Sequence, residues 1–264
     1  MNLLDKIIAH KVKEVEERKG FYPVKLLEQS IYYETPGISF KKYLLRKDRV
    51  GIIAEIKRRS PSRGIINNYI SVEQTSIGYM QAGASAISVL TDTRFFGGKN
   101  DDLTIARKFN YCPILRKDFI IDEYQIIEAK SIGADAILLI AAVLGPKKIK
   151  ELSESAKKLG LEILLEVTSK EELDSCLNDS IDITGVNNRN LEDFTTDMKR
   201  SIELFEFIPK NMIKISESGI SSPEAIHELK EVGYDGFLIG EFFMQSSSPE
   251  KACDDFIKQI QTYK

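Results

Sequence analysis

Two histidines, three cysteines and no tryptophan occur in a chain of 264 residues. His10 and His227 are the whole supply of imidazole, and Cys112, Cys176 and Cys253 stand far apart without ligand spacing. No cluster of His, Cys and carboxylate therefore exists from which to build a metal site. The cysteines offer no disulfide framework either, and small buried or half-buried thiols are expected. His227 falls in a stretch of helical period, where an exposed surface histidine is expected. An excess of one charge is also missing. Lys and Arg number 37 against 40 Asp and Glu, a formal charge of −3 that gives no general attraction to nucleic acid or an anionic membrane. No apolar run approaches the ~18 residues that a bilayer span needs. Residues 1–20 mix charged and apolar positions at helical spacing, unlike a leader or anchor. The cytoplasm is the expected compartment, and any proton transfer near neutral pH falls to shifted lysines and carboxylates.

What is present is a repeated alternation. Short β-branched runs at 51–56, 84–90, 113–116, 136–140, 161–165, 181–186, 212–215 and 236–239 make eight. Amphipathic stretches such as 71–82, 123–132, 146–159, 170–177 and 223–232 lie between them. Runs this apolar suit parallel strands covered on both faces. Gly83, Gly133 and Gly233 each precede a run, as glycine does when it ends a helix in a left-handed cap. Eight βα units without a dinucleotide fingerprint after the first favour a closed (β/α)₈ barrel over an open doubly wound sheet. A single domain over 1–264 is expected, with residues 1–48 as a helical extension. Its helical patterns at 2–18 and 38–45 are punctuated by Pro23 and Pro36.

Barrel active sites gather where the strands end. Glu55-Ile56-Lys57 closes the first run, with an alternation that points both charges to one face. Leu115-Arg116-Lys117-Asp118 closes the third, Leu165-Glu166 the fifth, Asn187-Asn188-Arg189 the sixth and Ser216-Glu217-Ser218-Gly219 the seventh. Any one of these reads equally well as a structural ion pair at the rim. Two lysines, two glutamates, an asparagine and an arginine converging on one end favour a site. Ser218-Gly219 after the seventh run and Gly240-Glu241 after the eighth stand where such barrels hold phosphate through backbone N–H groups. Gly240 followed by Glu241-Phe242-Phe243-Met244 fits a one-turn helix behind the anion.

Taken in order, these motifs resemble the indole-3-glycerol phosphate synthase family. The resemblance is carried by Glu55-Ile56-Lys57-Arg58-Arg59-Ser60-Pro61-Ser62, Val89-Leu90-Thr91-Asp92 with Phe95-Phe96, and Leu115-Arg116-Lys117-Asp118-Phe119-Ile120. Gly133-Ala134-Asp135, Leu165-Glu166-Val167, Asn187-Asn188-Arg189-Asn190-Leu191, Ser216-Glu217-Ser218-Gly219-Ile220 and Gly240-Glu241 continue it. It implies a barrel with a helical segment over the active-site end. It also implies conversion of 1-(2-carboxyphenylamino)-1-deoxyribulose 5-phosphate to indole-3-glycerol phosphate, carbon dioxide and water, without metal or organic cofactor. Lys117 would be the general acid and Glu166 the base of the later dehydration. Lys57 would lie near the substrate carboxylate, with Glu55 orienting it, Asn187 holding the reacting groups and Arg189 helping to bind the carboxylate. Ser218, also in the implied catalytic set, would grip the phosphate with Gly219, Gly240 and the amide of Glu241. Ser60 and Phe95 would close over the substrate. The expected partner is this small phosphorylated substrate, with neither nucleic acid nor membrane, and a monomer suffices.

The chain departs from the family pattern at Lys99, at Thr168, at Asn68-Tyr69-Ile70 and in the bulk after Glu241, all outside the implied catalytic set. Two rival readings stand beside it: a Schiff-base aldolase built on a strand-end lysine, and a non-catalytic phosphate-sugar binder.

Overall fold

The computed structural model describes residues 2–190 and 194–262, and closes eight parallel strands into a barrel. They are β1 Ile52–Ile56, β2 Ala86–Leu90, β3 Ile114–Lys117, β4 Ala136–Ile140, β5 Glu162–Val167, β6 Ile183–Asn187, β7 Ile213–Glu217 and β8 Gly236–Ile239. Each pairs with the next, and β8 returns to β1 through Ile52 opposite Phe237. All eight expected runs are strands. Four of them (β3, β5, β6 and β7) continue further than the apolar pattern does. Lys117 pairs opposite Leu90, Glu166 opposite Ile140 and Asn187 opposite Glu217, so the polar residues belong to the ladder itself. Backbone hydrogen bonding, rather than a loop, fixes their position.

The strand alternation divides the core in two. Ile53, Leu115, Leu138, Leu164, Ile183, Ile215 and Leu238 fill the barrel, while Ile52, Ile87, Ile114, Ile137, Ile163, Val186 and Phe237 face the helices. Gly83, Gly133 and Gly233 all have positive φ, of 104°, 94° and 119°, and each opens the way to the next strand. The helix Ala141–Lys158 begins earlier than its pattern suggests. Non-helical Gly145 before Pro146 kinks it into two pieces, because proline restarts a helix more readily than it continues one.

The extension reaches both ends of the barrel. Helix Leu3–Phe21 carries Lys11 into buried contact with Asp92 and Asp118, which follow β2 and β3. The chain then runs down the outside, where Ser30 donates to the Ser131 carbonyl and Ile38 N to Asp135. Helix Phe40–Leu44 closes the opposite end, with Ser39 and the Lys41 amide donating to Glu162 at the start of β5. The three cysteines are free and buried. His227, expected on the surface, is half-buried, because the last helix, Pro249–Thr262, packs over it and brings the Ile260 carbonyl 3.2 Å from Nε2. Among the described residues no helix is long and apolar enough to cross a membrane.

Candidate active site

A cavity of about 670 Å³ opens at the carboxyl ends of the strands. Glu55, Lys57, Ser60, Lys117, Glu166, Asn187, Arg189, Ser218, Gly219, Gly240 and Glu241 all line it. Phe95 does not. Asp92 caps the short helix Thr93–Phe96 through the amides of both phenylalanines, and the turn sends Phe95 against His10 while Phe96 faces the cavity. Leu3, Leu4 and Ile7 add a wall from the extension. Leu191 of the sixth motif lies outside the described residues.

Lys117 is the centre of the charge arrangement. Its ammonium donates to Glu217 at 2.5 Å and to Glu166 at 3.1 Å. Asn187 holds the other oxygen of Glu166 through Nδ2 at 2.9 Å, and the Arg189 amide donates to Asn187 Oδ1 at 2.9 Å. Just past β1, Lys57 lies 2.9 Å from Glu55, whose second oxygen accepts from Ser88 at 3.3 Å. Three carboxylates thus share two ammonium groups in one largely buried cluster. Burial alone would push Lys117 down, but Glu217, Glu166 and Glu55 together raise it well above the ordinary lysine value, so it stays charged. Glu55 is lowered on balance, since Lys57 and Lys117 outweigh its burial. Glu217 is pushed up to about 7, by burial first and then by the negative charge of Glu166 and Glu55, against the pull of Lys117. That Lys117 is held charged while its nearest partner tends to neutrality is the result expected when acids outnumber bases. Among the described residues no three His, Cys, Asp or Glu side chains are placed to hold a metal ion. Glu217 is the member of the set to which the sequence reading assigned no role.

The expected phosphate end has Ser218 and Gly219 at φ of 70° and 80°, with Asn188 Nδ2 holding the Ser218 carbonyl at 3.1 Å. The one-turn helix Glu241–Met244 follows Gly240, with no side-chain cap on its first amides. The Glu241 carboxylate ties this helix to the rim, accepting from Arg63 at 2.7 Å and from Arg189 at 3.3 Å. Gly240 also serves a neighbour. A Cβ there would lie 2.4 Å from Glu55 Oε1, so the glycine makes room for that carboxylate whatever it does for an anion.

A family model described as indole-3-glycerol phosphate synthase matches residues 4–256. The chain belongs to the indole-3-glycerol phosphate synthase family. An indole-3-glycerol phosphate synthase of Bacteroides thetaiotaomicron is 47% identical over 260 residues, covering 98% of this chain and 99% of its own. Those of Thermoanaerobacter pseudethanolicus and Campylobacter jejuni are each 42% identical, over 257 and 252 residues, covering 97% and 95% of this chain and 98% of theirs. Among solved structures, a thiamine phosphate pyrophosphorylase from Pyrococcus furiosus aligns with a TM-score of 0.61 at 17% identity, over 81% of this chain and 96% of its own. That likeness concerns the barrel alone. The departures from the indole-3-glycerol phosphate synthase pattern leave the charged cluster intact: Lys99 and Tyr69 are exposed, and Thr168 donates to Glu172.

Proposed function

We infer that this protein closes the indole ring of indole-3-glycerol phosphate, a carboxy-lyase step of tryptophan biosynthesis. It acts as a single-domain monomer in the cytoplasm on a small phosphorylated substrate. Besides the family membership, one observation carries the reading: a charged lysine held between two carboxylates at the barrel mouth. In the first step the ring carbon bearing the carboxylate bonds to the ketone carbon, and Lys117 gives its proton to the ketone oxygen. Carbon dioxide then leaves and the ring regains aromaticity. In the last step Glu166 takes a proton from the methylene carbon beside the nitrogen, Lys57 gives one to the hydroxyl, which departs as water, and the pyrrole double bond forms. Such groups act by stabilising charge that develops only in the transition state. Lys57 and Arg189 supply positive charge for the substrate carboxylate, with Glu55 and Asn187 holding their neighbours in place. Ser60 and Phe96 (in place of Phe95) bound the substrate from the loops after β1 and β2. Ser218, Gly219, Gly240 and the Glu241 amide offer the phosphate its donors.

The Schiff-base alternative needs a neutral amine as nucleophile, and three carboxylates around Lys117 oppose that. Turnover of 1-(2-carboxyphenylamino)-1-deoxyribulose 5-phosphate, followed by indole fluorescence, tests the reading, with Lys117→Ala expected to abolish ring closure. Retention of more than about a tenth of wild-type kcat by that variant would remove the acid from Lys117. Borohydride trapping of a ketose phosphate on Lys117 would favour the aldolase.

A further inference from the structure

Gly185 stands in the middle of β6, where glycine loses more backbone freedom than any other residue and offers nothing to pack. Its φ is not in the left-handed region, so the backbone does not call for it. Space does. The alternation along β6 turns residue 185 toward the barrel interior with Ile183 and Asn187. A Cβ there would lie 2.3 Å from Glu217 Oε1, 3.0 Å from Leu164 Cδ1 and 3.3 Å from Ile215 Cγ1. The two apolar contacts can relax by rotation of a side-chain end. Glu217 has no such freedom, because it is 1% exposed and its other oxygen is bonded to Lys117 at 2.5 Å.

We propose that Gly185 is a positioning residue for ring closure, its missing side chain being the slot that seats the Glu217 carboxylate against the Lys117 ammonium. Glu217 Oε1 finds no hydrogen-bond partner among the described residues. The carboxylate is therefore held by fit at Oε1 and by the ion pair at Oε2. A methyl group at 185 displaces the carboxylate from its seat and with it the Lys117 ammonium bonded to its other oxygen, shifting the proton donor from its place. The purpose of the slot rests on the reading of Lys117 as the acid, while its geometry does not.

The test is a double-mutant cycle of Gly185→Ala with Glu217→Ala and Glu217→Asp, read by melting temperature, kcat and KM. Gly185→Ala alone should lower kcat on the order of 100-fold, the usual cost of a displacement of about 1 Å, with KM changed less than about twofold. In the Glu217→Asp background, whose shorter acid clears the slot, adding Gly185→Ala should lower kcat no further. In the Glu217→Ala background it should leave the melting temperature unchanged. The melting cycle decides the matter even where Gly185→Ala alone fails to fold. An equal penalty in both backgrounds would assign the slot to Leu164 and Ile215 and overturn the proposal. So would a wild-type kcat in the single variant. If the wild-type protein does not turn over the carboxyphenylamino substrate, the reaction falls and the catalytic purpose with it, whereas the melting cycle still decides what the slot holds.

Discussion

At Glu217 two demands oppose one another, and both can be measured. The folded protein binds a proton there more tightly than the unfolded chain, because burial and two neighbouring carboxylates push the group up to about 7. Between the ordinary glutamate value of about 4.3 and that raised value, this group's contribution to stability falls as pH rises. Glu217→Gln imitates the neutral form and should raise the melting temperature above neutral pH. Catalysis should respond in the opposite sense. If ionised Glu217 seats Lys117, activity declines as pH falls through about 7, and Glu217→Gln, slower at every pH, loses that acid limb. An acid limb that persists in the variant belongs to the substrate phosphate, whose second pKa is about 6. The gain in stability with loss of activity would mark a group retained for chemistry rather than folding.

Among the elements, helix Leu3–Phe21 buries one lysine beside Ile7 and Val15. Lys11 is 1% exposed and lies 3.0 Å from Asp92, 2.9 Å from Asp118 and 2.9 Å from Glu14. Burial would lower its pKa, but the three acids raise it far above the ordinary value. Its contribution is therefore complete below the unfolded lysine pKa and is lost only as pH rises through the higher folded one. Asp118 is the mirror case. Lys11 and Arg116 overcome its burial and hold it far below the carboxylate range; its contribution is present above the unfolded value and lost as pH falls. Lys11→Ala should cost about 3–5 kcal/mol by urea denaturation, the usual result of stranding buried charge. The exposed Arg63 that meets Glu241 makes the contrast, since Arg63→Ala should cost less than about 1 kcal/mol. Equal costs for the two would mean that Lys11 is solvated in solution and does not anchor the helix.

This attachment also shows what the linear pattern could and could not carry. The strands and the three glycine caps were legible because period and backbone conformation are local properties. Lys11 was not, for a lysine on an amphipathic helix reads as solvated until loops from elsewhere surround it. The site residues at the strand ends could be found from alternation and from their polarity after apolar runs. The role of Glu217 could not, because its partner Lys117 lies 100 residues away in sequence. Nor could the pattern choose between adjacent Phe95 and Phe96, whose directions depend on how Asp92 caps their turn.

For the whole molecule, the candidate site and the closing helix Phe40–Leu44 occupy opposite ends. Phe40 and Leu44 are buried with Ile53, Ala86 and Ala136 inside the barrel, and Leu44 reaches Gly236 at the start of β8. Phe40→Ala should cost about 3–5 kcal/mol while kcat and KM stay within about twofold, because the cavity end keeps its own packing. A large change in kcat without loss of stability would show that the two ends communicate.

The pairing of β1 with β8 has a consequence for synthesis. On the edge of β1 that faces away from β2, residues 52–54 find their partners only at 237–239. Until the last of these leaves the ribosome, the nascent chain carries a seven-stranded open sheet with two bare edges, β1 on one side and β7 on the other. Such edges accept strands from any neighbouring chain. The β7 edge stays bare from the emergence of β7 until β8 follows, roughly 1–5 s at ordinary elongation rates of about 5–20 residues per second, and the β1 edge for the whole time since β1 emerged. Ring closure is thus a late, single event, and the period just before it is when this protein most needs a chaperone.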